Sequence, residues 1–304
     1  MIAFVMSGGG NRGAAQAGAL RALLERGIQP DLLVGTSVGS LSAVLLASEP
    51  TIDGAHRLVA TWRGVKRAHI FPGNPLTAGW RLLTRQGSLH SRHNFTRFLR
   101  ASLPSEFQRF GDLRQPAYVT ATVLGAARMR VFGEQPDDPL LDGLLASTAI
   151  PPFFPPYRYG DEWLVDGAVL ANLPLAVATR HGAREIFALQ IVNGEATASG
   201  RSLAQTLGYS LSAILSRQDE LEHRLTSLER QRRVVHLIRL SAGQELAYND
   251  FDHTDDLIEA GYRAAIAYLD AMPDQATARR RRVAATVRAA LRLRWPRAAR
   301  GAGA

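Results

Sequence analysis

Two hydrophobic rhythms alternate along this chain: short, nearly unbroken apolar runs, and longer stretches whose apolar positions return every three or four residues. The first rhythm predicts buried strands and the second predicts helices packed on them, which favours an α/β fold. "IAFVMS" opens as a strand and stops in "GGGNRG", and "AAQAGALRALLER" continues as a helix with Gly27 as its C-terminal cap. "DLLVGTS" reads as a second strand ending in "GTSVG", and "VGSLSAVLLAS" as a mostly apolar helix. Two strand–turn–helix steps within the first 48 residues predict a parallel strand pair. A right-handed crossover then puts both glycine-rich turns at the carboxyl edge of the sheet, where α/β ligand sites sit.

Residues 50–115 are less regular and rich in Arg, aromatic residues, Pro and Gly. Strand patterns resume at "AYVTATVL", "RMRVF", "WLVDG", "EIFALQIV" and "RVVHLIRL", and helical patterns occupy about 201–230 and 254–271. After Pro273 the pattern changes to "ARRRRVAATVRAALRLRWPRAAR". The expected organisation is one domain over residues 1–275 and an Arg-rich tail over 276–304.

A chain of 304 residues that is 46% hydrophobic buries a substantial core. Without cysteine there is no disulfide or thiolate chemistry, which fits a cytoplasmic protein. The N-terminal run is too short, and lacks the basic flank, to be a signal peptide, and no run reaches the roughly 18 apolar residues of a membrane span. The net charge of +9 belongs to the tail, where nine Arg follow from Arg279 onward with no acid.

The glycine loop satisfies G-x-G-x-x-G through Gly8, Gly10 and Gly13, between a strand and a helix. A dinucleotide site also needs an acidic residue closing the second strand, but Asp31 begins that strand and "GTS" ends it. A bare backbone loop also suits a phosphate cradle or an oxyanion hole built from backbone N–H groups, and the loop by itself leaves both open. "GTSVG" supplies Gly35-x-Ser37-x-Gly39, weak as a motif but stronger at a strand-to-helix turn, the setting of a nucleophile elbow. The plainer alternative is that Ser37 only caps the following helix.

A serine nucleophile needs a base. Among the eight His, His236 alternates within a strand and reads as structural. His253, in "NDFDHTDD", lies where an α/β-hydrolase keeps its triad His, but a nucleophile after one preceding strand contradicts that fold. Asp166 ends the strand "WLVDG" and projects into a turn, although Asp-Gly is also an ordinary turn dipeptide.

Taken in order, "GGGNRG", "GTSVG", "ASTAIPPFFPP" and "DGAVLANLP" resemble the patatin-like phospholipases, over residues 8 to about 174. One departure is Ala168, where many members carry a third-position glycine. The resemblance implies a three-layer α/β fold with a central, largely parallel sheet flanked by helices. It implies a Ser–Asp dyad without His, with Ser37 as nucleophile and Asp166 taking its proton. The oxyanion hole would come from the backbone around Gly8, Gly9, Gly10 and Gly13, with Arg12 adding positive potential. The implied substrates are carboxylic esters of lipids, phospholipid or lysophospholipid, with no metal or cofactor. Acyl transfer to an alcohol is an alternative use of the same site. A non-catalytic lipid-surface module is a third reading, against which the intact Ser37 and Asp166 argue.

Residues 63–114 hold Phe71, Trp80, Phe95 and Phe98, with Trp62 just before them, among ten basic side chains. They read either as a cover that meets the lipid surface or as a solvated insert with ordinary core aromatics. On a helix, Val283, Val287, Leu291 and Trp295 fall within an arc of about 120°. Residues 279–300 are thus expected to contact an anionic membrane peripherally, although Arg294 falls inside the arc. A solvated, disordered tail is the plainer alternative. Nucleic acid is not an expected partner, since the tail has no binding fold and no interleaved aromatics.

Overall fold

β1 (Ile2–Met6) lies between β2 (Leu32–Thr36) and β7 (Glu185–Val192) and runs parallel to both. The structure, a computed structural model, describes residues 1–70, 90–126, 128–192, 213–222, 224, 233–241 and 250–272. Phe71, Trp80, most of the helix expected over 201–230, and the tail over 276–304 lie outside the described residues.

The remaining strands are β3 (Ala117–Val123), β4 (Arg128–Phe132), β5 (Tyr157–Tyr159), β6 (Glu162–Asp166) and β8 (Val234–Ser241). All eight form one sheet in the order β5-β6-β3-β2-β1-β7-β8, with β4 also paired to β3. The pairs linking β3, β2, β1, β7 and β8 are parallel, whereas β4 and β6 run antiparallel to β3. In chain order the helices are α1 (Gly13–Glu25), α2 (Val38–Ser48), α3 (Ile52–Gly64), α4 (Arg67–Ile70), α5 (His93–Ser102), α6 (Leu140–Ser147), α7 (Leu175–Arg180), α8 (213–222) and α9 (Thr254–Ala271).

The central strands read as unbroken apolar runs because both faces of the sheet are covered. Ala3, Val5, Val34, Ile186 and Ala188 point to one face, under Leu173 and the α7 residues Leu175 and Val177. Phe4, Met6, Leu33 and Phe187 alternate to the other face and are likewise buried, under α1 and α2. The result is a mixed, largely parallel sheet between helical layers, the α/β architecture the sequence predicts.

The chain divides into two compact units, Met1–Ile266 and Ala267–Ala304. The first contains the whole sheet, and the second is described only over 267–272.

The described residues of 50–115, namely 50–70 and 90–115, are more regular than their composition suggests. Thr51 caps α3 by accepting from the Gly54 N–H at 3.2 Å, and Ala55, Leu58, Val59 and Trp62 form its buried stripe. Phe95 and Leu99 form the buried stripe of α5. Trp62 and Phe95 are therefore packing residues, and Phe98 is half-buried against Phe95.

One feature of the sheet brings distant residues together. β4 pairs with Val119–Val123 of β3, β2 pairs with Ala117–Thr120, and β6 pairs with Ala121–Val123. Because β4 overlaps both of the others, β2 and β6 must share the opposite edge of β3. They run in opposite directions, so their carboxyl ends converge where Thr36 faces Thr120 and Asp166 faces Ala121.

Candidate active site

Ser37 is the single residue between the end of β2 and the start of α2. It makes that turn at φ 54° and ψ −125°, the sole positive φ of a non-glycine among the described residues. Such a conformation costs on the order of 1–3 kcal/mol and concentrates at functional sites. The flanking glycines permit the sharp turn by leaving room. A Cβ on Gly35 would stand 2.2 Å from the Gly39 carbonyl oxygen, and one on Gly39 would stand 2.5 Å from that of Met6. The strained residue is held on both sides: its N–H donates to Ser147 Oγ at 2.9 Å, and its carbonyl accepts from the Ser40 N–H at 2.9 Å. Its side chain makes no capping bond to α2, contrary to the plainer alternative.

The Ser37 hydroxyl instead donates to Asp166 Oδ2 at 2.6 Å. Asp166 is fully buried at the end of β6, and its Oδ1 accepts from the Ala168 N–H at 2.8 Å. Its backbone is anchored as well, by Asp166 N–H to the Ala149 carbonyl and by Thr122 Oγ1 to the Asp166 carbonyl. Burial pushes its carboxyl up to about 7, against the opposing pull of the bonds from Ser37 and Ala168. A carboxylate with that value takes and returns a proton readily near neutral pH. Ala168, the departure from the glycine of many relatives, supplies the needed N–H with an ordinary negative φ.

The glycine loop lies beside Ser37: a Cβ on Gly8 would stand 3.2 Å from Ser37 Cβ. Its five expected members divide into different roles. The Gly8 N–H is already engaged with the Asn172 carbonyl at 3.2 Å, and the Gly13 N–H closes the short 3-10 turn Gly10–Arg12 onto the carbonyls of Gly10 and Asn11. Both amides thus already have backbone acceptors. Gly13 serves packing, since a Cβ there would stand 2.4 Å from Val38 and 2.6 Å from Trp62. Gly9 and Gly10 keep N–H groups that meet no acceptor among the described residues. Gly10 also needs its positive φ of 63° to lead into the turn. Arg12 ends that turn, half-buried, at the N-cap of α1.

The two histidines weighed in the sequence have other partners. His236 pairs with Glu185 at 3.0 Å and stacks on Phe187, a packing role. His253 is exposed on the turn before α9, with its ring nitrogens beside Asp250 and Asp256.

Several supports of the site were not singled out from the sequence, although Ser147 and Asn172 lie within the blocks "ASTAIPPFFPP" and "DGAVLANLP". Ser147 holds the Ser37 amide across 110 positions. Thr36 and Thr120 bond through their hydroxyls at 2.6 Å at the junction of β2 and β6, and Thr36 Oγ1 donates to the Ala171 carbonyl. Asn172 is buried behind Gly8. Among the described residues no group of three or more His, Asp or Glu is arranged to hold a metal ion. No helix among them is long and apolar enough to cross a membrane.

A strand-to-helix serine bonded to a buried carboxylate beside a bare glycine loop, on a largely parallel sheet, defines a class of serine acyl hydrolase folds. The chain belongs to the patatin-like phospholipase family, lipid acyl hydrolases whose sequence profile matches residues 4–179. It is 29% identical to lysophospholipase NTE1 of Mycosarcoma maydis over 88% of its own length and 15% of that protein. It is 30% identical to human patatin-like phospholipase domain-containing protein 6 over 64% of its length and 14% of that protein. The chain thus spans about one seventh of the curated relatives it matches. Among solved structures, VipD from Legionella pneumophila has a similar fold, with a TM-score of 0.52 and 17% identity over 88% of this chain and 66% of that one.

Proposed function

We propose that this chain hydrolyses the carboxylic ester bonds of phospholipids or lysophospholipids, with Ser37 as nucleophile and Asp166 as its base. The observation that carries this reading is the 2.6 Å bond from the strained Ser37 hydroxyl to a buried carboxylate. Ser37 Oγ attacks the ester carbonyl carbon while its proton passes to Asp166 Oδ2. The negative charge on the tetrahedral oxygen is met by the amides of Gly9 and Gly10 and by the N-terminal end of α2. Collapse breaks the ester bond, and the departing alcohol takes the proton from Asp166. Water then attacks the acyl-Ser37 ester, gives a proton to Asp166 and releases the fatty acid. As the free hydroxyl re-forms, Asp166 returns that proton to Ser37.

The lysophospholipase and phospholipase names of the relatives support a lipid ester as the substrate. Peripheral contact with an anionic membrane from the cytoplasmic side rests on the basic amphipathic pattern of residues 279–300. The test is a fluorophosphonate probe followed by mass spectrometry, with hydrolysis measured on a small panel of esters and phospholipids. A single adduct on Ser37, absent from Ser37→Ala, is expected together with fatty-acid release. Release of fatty acid by Ser37→Ala at the wild-type rate would contradict the reading.

A further inference from the structure

Asp219 is a second buried carboxylate near this site, and it comes from α8, outside the residues 4–179 that match the family profile. Its side chain is 3% exposed. Its oxygens accept from Asn172 Nδ2 at 3.1 and 3.0 Å and from Gln190 Nε2 at 2.9 Å. Burial raises its pKa, and these donors pull in the opposite direction. Leaving a carboxyl group buried is costly unless its bonds are well satisfied, so the arrangement calls for an account.

Of the two amide side chains that Asp219 grips, Asn172 touches the glycine loop directly, and Gln190 precedes the β7 residue that does. The Asn172 carbonyl accepts from the Gly8 N–H at 3.2 Å. With its Nδ2 turned to Asp219, Asn172 directs Oδ1 at Gly8, where it lies 2.7 Å from the position a Cβ would take. That buried oxygen has no hydrogen-bond partner among the described residues. Gln190 in turn precedes Ile191, whose N–H donates to Ser7 Oγ at 2.9 Å. The Ile191 side chain lies against Gly9, 2.6 Å from the position of a Cβ there. One carboxylate therefore holds Asn172 directly and, through Gln190, the end of β7 whose Ile191 meets Ser7 and Gly9. A carboxylate suits the task because it only accepts, whereas an amide in its place would turn an NH2 group toward another donor.

We propose that Asp219 is a positioning residue: through Asn172 and Gln190 it holds the Ser7–Gly9 backbone so that the Gly9 and Gly10 amides face the oxyanion formed at Ser37. It touches neither substrate nor reacting atoms. The inference rests on the acyl-hydrolase reading above, and its test keeps the two separable.

The experiment compares wild type, Asp219→Asn, and Asp219→Asn combined with Gln190→Glu, which exchanges carboxylate and amide across the contact. Each is titrated with a fluorophosphonate by intact mass, for both rate and final stoichiometry at Ser37, and kcat and KM are measured on a short soluble ester. Displacing reacting groups by a fraction of an ångström to an ångström costs about ten- to a hundred-fold in rate. Asp219→Asn is expected to reach full labelling that much more slowly, with kcat reduced by a similar factor and KM within about two-fold. The exchanged pair is expected to recover much of the loss. Gln190→Ala, at a half-buried position, removes one arm without opening the core and is expected to show a smaller slowing of the same kind. Wild-type labelling rates in Asp219→Asn would overturn the proposal. So would a reduced stoichiometry in which the remaining molecules label at the wild-type rate, because that is loss of folding alone. A wild-type protein unlabelled at Ser37 would overturn the acyl-hydrolase reading, and this one with it.

Discussion

Ser37 directly follows β2 and Asp166 ends β6, two strands that run toward each other along the same edge of β3, and their side chains meet at 2.6 Å. The strand β6 that carries Asp166 is antiparallel to β3, whereas β2, which leads to Ser37, is parallel to it. A pair 129 residues apart is thus set by sheet topology, with no third side chain needed between them.

The turn at Ser37 carries strain that glycine would relieve. Ser37→Ala and Ser37→Gly both remove the hydroxyl, so they differ only in a Cβ held at positive φ. Relief of 1–3 kcal/mol of strain outweighs the roughly 0.5–1 kcal/mol entropic cost of glycine. The glycine variant is expected to be the more stable of the two by about 1 kcal/mol in urea denaturation, with both inactive. Equal stability would show that the turn is unstrained.

The raised carboxyl of Asp166 makes activity and stability depend on pH in opposite directions. kcat/KM is expected to fall with unit slope as pH drops below about 7, because the base is then protonated. A folded-state value raised above that of the unfolded chain favours the folded protein fully below the ordinary 3.8, and the benefit is lost as pH rises through about 7. Asp166→Asn removes this titration, so its stability relative to wild type is expected to rise between pH 4 and 7 by up to a few kcal/mol. Denaturation curves at both pH values check the sign, and a gap that does not change with pH contradicts it.

The order of elements and the four motif blocks were legible because each rests on local chemistry: apolar strands buried on both faces, and glycines where backbones touch. The helices at 52–64 and 93–102 were hidden by basic residues on their solvent faces, although the stripe Ala55, Leu58, Val59 and Trp62 was present at helical spacing. The glycine loop was read only in part. Sequence shows which residues lack a Cβ but not where an N–H points, so Gly8 and Gly13 were grouped with Gly9 and Gly10. Ser147 and Asn172 lie within two of the four blocks, but their partners, like those of Asp219, stand far away in the chain and leave no local mark of the role.

The division within the loop has a kinetic consequence. Gly9→Ala would press a Cβ into Ile191, and Gly10→Ala would strain a residue at φ 63°. Either is expected to lower kcat on the order of ten- to a hundred-fold, with a smaller change in KM. Gly27→Ala is the control, with positive φ, open surroundings and a helix-end position. It is expected to lose stability only. Unchanged kcat in both loop variants would remove the loop from the oxyanion hole.

The basic tail makes a separate prediction. A chain ending at Asp274 is expected to lose sedimentation with anionic vesicles while keeping its activity on a short soluble ester. The 304-residue chain is expected to release from those vesicles at high salt. Identical vesicle binding by both chains would contradict a role for residues 279–300.

The most direct test of the central claim sets Asp166→Asn beside His253→Ala in one assay of ester hydrolysis, each normalised to folded protein. Groups that act as a unit with the nucleophile typically cost about 10⁴-fold or more when removed. Asp166→Asn is expected to lose activity on that scale, and His253→Ala is expected to keep most of it. An inactive His253→Ala beside an active Asp166→Asn would show that a histidine, not Asp166, serves Ser37.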